Sequence, residues 1–154
     1  MDVLQVTPTM AIGAYANIHL CVYRSGLTVD GLDAANRHHR DLIAKHGRTL
    51  VLGYAEPNQP LPAADARQRA AVLIEENQAH VAASALVVEG NGFSASVIRS
   101  VMTAAFALAR YPYPSKCVAT GADAGTWLAT FPEGRELSPA AVAGALAQLC
   151  AAAP

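Results

Sequence analysis

The sequence predicts an α/β domain: one small mixed, mainly parallel sheet with helices packed on it and an extra helix at the C-terminus. Three observations carry this. Short apolar runs with strand character alternate with longer runs of helical period, in the order β-β-α-β-α-β-α-β-α. The 154 residues are 53% hydrophobic and 15% charged at a net charge of -1, which suits a single compact core and excludes a disordered chain. About a fifth of the chain is alanine, a residue that favours helix and close packing of helix on sheet.

The first elements are a hairpin. Ile18, Leu20 and Val22 alternate with His19, Cys21 and Tyr23 at a period of two, and Met10 to Tyr15 supplies an antiparallel neighbour. After a turn at Ser25-Gly26, Thr28 is a fitting N-cap for a helix whose apolar side is Leu32, Ala35, His39, Leu42, Ile43 and His46. Gly47 stops it. Thr49 to Tyr54 is short and apolar, as a central strand covered on both faces should be.

Pro57, Pro60 and Pro62 make the next segment a loop. A helix follows from about Ala63 to Asn77, with Ala66, Ala70, Leu73 and Ile74 as its buried stripe. Ala83 to Val88 reads as a second buried strand, and Glu89-Gly90-Asn91-Gly92 as a strand-to-helix turn. Val97, Ile98, Val101, Met102, Ala105, Leu108 and Ala109 then share one helical face, which Pro112 and Pro114 end. Lys116 to Ala119 is a short strand. Thr120-Gly121-Ala122-Asp123 resembles a capping box and opens the helix of Trp127 and Leu128. Finally Ser138-Pro139 starts a helix with Val142, Ala145, Leu146 and Leu149 on one side. The chain therefore divides into an α/β domain over residues 1–131 and a helical extension over 132–154, which packs on the domain or mediates a homodimer. The stretch from Pro132 to Ser138 is the expected hinge.

Several function classes are disfavoured by composition. Eleven Lys and Arg are balanced by twelve Asp and Glu with no basic run, so no footprint for nucleic acid is expected. No apolar run is long enough to span a membrane, and the N-terminus lacks the basic and apolar regions of a secretory signal. Cys21, Cys117 and Cys150 are odd in number, far apart and free of any C-x-x-C pair, which favours buried thiols in a reducing cytoplasm over disulfides or a zinc site.

The element order, the first helix ending in Lys45-His46-Gly47, and the closing Ala122-Asp123-Ala124-Gly125-Thr126-Trp127-Leu128 together resemble the STAS-like (SpoIIAA-like) superfamily over residues 10–131. The resemblance implies a small α/β module that binds other proteins, including anti-sigma-factor antagonists, or less often a small ligand, usually without catalysis. In phospho-regulated members a Ser or Thr follows the central strand at the start of the next helix. Gly53 through Asp65 contains neither, so the switch is not at that place; the displaced candidates are Ser94 and Ser96, for which the plainer reading is an N-cap.

No catalytic constellation emerges. Gly92-Phe93-Ser94-Ala95-Ser96 departs from a nucleophile elbow at its second glycine, and no His follows it to complete a triad in that fold's chain order. His38, His39 and His46 stand one, seven and eight residues apart, spacings at which no pair chelates a metal within one helical turn. His39 is kept as a polar contact for a cleft beneath its helix. Because ligands of parallel sheets gather beyond the strands' carboxyl ends, the binding surface is expected at Glu56, Glu89, Asn91, Ser94, Ser96 and Thr120. The expectation is a non-enzymatic, cytoplasmic, protein-binding regulatory module without metal or cofactor. The alternatives are a small-molecule or lipid carrier of the same fold and an accessory subunit of a biosynthetic complex.

Overall fold

Ile18, Leu20 and Val22 are fully buried in one core, and Cys21 is buried in a second on the opposite side of the sheet, so the strand they form, Ile18–Tyr23, is covered on both faces. The computed structural model describes residues 1–56, 62–90, 96, 99–100 and 111–154. Its strands are β1 (Asp2–Val6), β2 (Met10–Tyr15), β3 (Ile18–Tyr23), β4 (Thr49–Ala55), β5 (Val81–Val88) and β6 (Ser115–Val118). They form one six-stranded sheet in sequential order. β1, β2 and β3 pair antiparallel; β3 through β6 are parallel. This is the mixed, mainly parallel α/β sheet that the sequence predicts.

Among the described residues four α-helices pack on it: α1 (Val29–His46), α2 (Ala64–Asn77), α3 (Gly121–Leu128) and α4 (Pro139–Ala151). Thr28 caps α1 by accepting a hydrogen bond from the Gly31 amide, and Gly47, at φ 75°, ends it in the conformation that glycine adopts without a Cβ penalty. α1 lies over Met10, Ile12 and Cys21 through Ala34 and Ala35. It grips α2 through Leu32, Ala66 and Leu73. A 2.7 Å ion pair from Arg69 to Asp33 and a 2.8 Å bond from Asn77 to Asn36 fix their alignment.

The other face of the sheet is covered by α3 and α4. Leu128, Val142, Leu146 and Leu149 close over Leu20, Leu50, Leu52 and Val87, nearly all with no exposure to water. Each such fully buried side chain contributes about 2 kcal/mol relative to an exposed one. α3 and α4 approach closely at Gly125, where a Cβ would lie 2.8 Å from the Cα of Pro139. The segment expected as a hinge is a 3-10 turn, Pro132–Gly134. It is tied to the sheet's amino end by a 2.8 Å ion pair between Glu133 and Arg48 and a 3.0 Å bond from Asn17 to the Glu133 carbonyl.

Several expectations are corrected. β1 is an additional strand, making the opening hairpin a three-stranded meander. Its register shifts between Val3 and Gln5, and the extra residue, Leu4, destroys the alternation by which a strand is recognised. His46 shares the angular position of His39 but is exposed, because it stands in the last turn of α1. Cys150 is only half-buried, near the end of α4, whereas Cys21 and Cys117 are buried. Ser138 occupies the N-cap of α4 without a side-chain capping bond. The helix predicted from Val97 to Ala109 lies, apart from Arg99 and Ser100, outside the described residues, as do residues 57–61 of the proline loop.

Candidate functional site

The parallel registers determine what gathers at the carboxyl end of the sheet. Tyr23 lies beside Ala55, Ala55 beside Val88, and Val87 beside Val118. Continuing these registers one residue past Tyr23, Ala55 and Val88, and two past Val118, sets Arg24, Glu56, Glu89 and Thr120 in a single row. The row lies on the side covered by α3 and α4, because Val22, Tyr54, Val87 and Val118, two residues back in each strand, pack into that core. Three of the four were expected from sequence to share a surface: Glu56, Glu89 and Thr120.

The two ends of the row serve the helices. Arg24 donates from Nη2 to the carbonyls of Cys150, at 3.2 Å, and Ala152, at 2.5 Å, placing a cation at the C-terminus of α4 where the helix dipole favours it. Its Nε also stands 3.8 Å from Glu56. Thr120 accepts from the Asp123 amide at 3.1 Å and donates to the Asp123 carboxylate at 2.8 Å, so its hydroxyl is committed to capping α3.

The middle of the row is acidic. Tyr54, on the same side of β4 as Glu56, donates from its hydroxyl to Glu89 Oε2 at 3.1 Å. Burial, and then the hydrogen bond and charge of Glu89, push the phenol up to about 12. The Cys150 thiol is pushed up to about 11 by burial and by the carboxylates of Glu89 and Glu56, against the opposing pull of Arg24. Both groups are protonated at neutral pH and present hydrogen-bonding surface rather than a nucleophile. Arg99 donates at 2.9 Å to the carbonyls of both Val88 and Gly90, holding the backbone on either side of Glu89.

His39 does not join this site. It is buried near the opposite end of the sheet, where its Nε2 bonds the Thr49 hydroxyl at 2.8 Å and its ring stacks on His19. The Thr49 hydroxyl donates to the His80 carbonyl at 3.4 Å, so it accepts from His39. Burial, then the neighbouring His80, lowers His39 to about 4; burial, then His39 and His38, lowers His19 well below the usual range. His19 Nε2 lies 3.2 Å from the Cys21 thiol, itself pushed up to about 12 by burial. The cleft contact expected of His39 is therefore replaced by a polar contact inside the fold.

Ser96 is exposed on helical backbone, while Asn91 and Ser94 lie outside the described residues. Sequence reasoning missed Arg24 and Tyr54. The available signals were the position of Arg24 immediately after a strand and the two-residue spacing from Tyr54 to Glu56, which puts both on one face. Among the described residues no three His, Cys, Asp or Glu side chains converge to hold a metal ion, and no helix is long and apolar enough to cross a membrane. A separate open groove of about 270 Å³ runs between the β1–β2 hairpin and the start of α1, lined by Gln5, Thr7, Thr9, Met10, Thr28 and Asp30 among others. The chain matches no protein-family model, no curated protein and no solved structure in comparisons with each.

Proposed function

We propose that this chain is a non-enzymatic protein-interaction module of a cytoplasmic regulatory system, as its STAS-like resemblance implies, and that it receives its partner at the carboxyl edge of the sheet around Glu56 and Glu89. One observation carries the reading: within the row Arg24–Glu56–Glu89–Thr120, the outer members are committed to helix ends, while two neighbouring carboxylates remain open to solvent. Side chains of the kind that do chemistry elsewhere are engaged in packing. His39 and His19 are buried and stacked, and Cys21 is buried against His19. Adjacent carboxylates on rigid strands suit basic side chains of a partner, and their contribution is to orientation and rate of encounter as much as to affinity.

The test uses the full chain and a double variant, Glu56→Lys with Glu89→Lys, as baits in an extract of the source organism, followed by titration with the purified partner. A partner that binds the native chain and loses about tenfold or more in affinity for the double variant supports the reading. Equal binding to both baits, or no specific partner of the native chain, refutes it.

A further inference from the structure

The two edges of the sheet are guarded differently. β6 is four residues long and carries the exposed Lys116, a short strand with a charge, which is how sheets commonly resist pairing with other chains. β1 has no such guard along most of its length. From Val3 to Thr9 the sequence Val-Leu-Gln-Val-Thr-Pro-Thr contains no charged residue, and the sole proline follows the strand. β1 pairs only with β2, so its outer backbone edge has no strand partner among the described residues. The same strand carries Val3 at 46% and Leu4 at 40% exposure, two of the three large exposed hydrophobics among the described residues; the third, Val72, lies on α2. Regular alternation would turn one of two consecutive residues inward. The extra residue at Leu4 leaves both outside.

We propose that β1 is an association edge and that its occupant is β1 of a second copy, paired antiparallel about a two-fold axis into one continuous sheet. Charge selects this arrangement. Parallel pairing would set Asp2 against Asp2, whereas antiparallel pairing about Leu4 sets each Asp2 beside the uncharged Val6 end of the other copy and brings the apolar Val3-Leu4 segments together. A two-fold pair satisfies both free edges with the same residues and closes on itself, leaving only the Lys116-bearing edges outside. The surface is distinct from the acidic row, so association and partner binding at Glu56 and Glu89 are separable.

Sedimentation of the native chain over a range of concentrations, beside Leu4→Lys and Val72→Lys, tests this. The expected result is a concentration-dependent two-chain species that Leu4→Lys weakens about tenfold or more and Val72→Lys leaves unchanged. In the native chain, the backbone amides from Val3 to Val6 should exchange more slowly as concentration rises, a readout that needs no variant. A native chain that stays monomeric at every concentration overturns the proposal. So does a dimer indifferent to Leu4→Lys, whose interface would lie elsewhere, or one weakened equally by Val72→Lys.

Discussion

The imidazole of His19 stacks on that of His39 with 4.7 Å between centroids and 15° between planes, inside the layer where α1 meets the sheet. Neither ring can take a proton without placing a charge in that layer. Both are lowered in the fold, His39 from 6.5 to about 4, so the unfolded chain binds more protons as the pH drops through that window. This stabilisation is complete above the unfolded value near 6.5 and is lost as pH falls towards and through 4. For His39 alone the loss from pH 7.5 to 4.5 amounts to about 2 to 3 kcal/mol. Urea unfolding at the two pH values should show a lower midpoint at pH 4.5, and His39→Phe should flatten the dependence. An equally steep dependence in that variant would show that other groups govern acid unfolding.

Gly125 and Gly144 offer a paired test of helix contact. At Gly125 a Cβ would meet the Cα and carbonyl oxygen of Pro139 at 2.8 and 2.9 Å, both backbone atoms that cannot swing aside. Gly125→Ala should lower stability by about 1 to 3 kcal/mol despite alanine's better helix propensity. At Gly144 a Cβ meets nothing within 4 Å. Gly144→Ala should raise stability by about 0.5 to 1 kcal/mol. Thermal melts of the two variants should move in opposite directions.

Arg24→Met should loosen the end of α4. It removes the donors to the carbonyls of Cys150 and Ala152 while keeping most of the side-chain volume. The expected cost is about 1.5 to 3 kcal/mol, the range for hydrogen bonds to a charged group. Hydrogen exchange should accelerate from Leu149 onward and remain unchanged in β4 and β5. Uniform acceleration would mean that Arg24 supports the whole fold.

Glu89→Gln should ease ionisation of Tyr54. The substitution withdraws the negative charge that, after burial, holds the phenol up near 12. The Tyr54 titration should therefore move downward, read by ultraviolet absorbance against a Tyr54→Phe reference that identifies its signal. An unmoved titration would leave burial as the whole cause.

Much of this architecture is legible in the sequence because its elements obey simple periods. The stripe Val142, Ala145, Leu146 and Leu149 is the buried face of α4, and the alternation in Ile18 to Tyr23 marks β3. Thr28, Gly47 and Thr120 sit at the helix ends where their chemistry suggests them. β1 escaped because one inserted residue breaks its period. The row beyond the strands was partly legible: position alone nominated Glu56, Glu89 and Thr120. Arg24 was hidden because its partners, the carbonyls of Cys150 and Ala152, lie more than a hundred residues away, and no local pattern announces a side chain that crosses such a distance. His39 was nominated by its residue type, yet its setting depends on His19 and Thr49, which only the assembled sheet brings beside it.

The sequential strand order also has a temporal side. Each strand from β2 to β6 pairs with the one made just before it, so the sheet can grow as the chain leaves the ribosome. The cover over one face does not follow that schedule. Leu149 packs against Gly13 of β2, joining nearly the last element to nearly the first. Until that helix has been synthesised, the side of the sheet bearing Leu20 and Val22 lacks its α4 cover, and the nascent chain passes through an interval in which a chaperone, or a neighbouring nascent chain, has access to it.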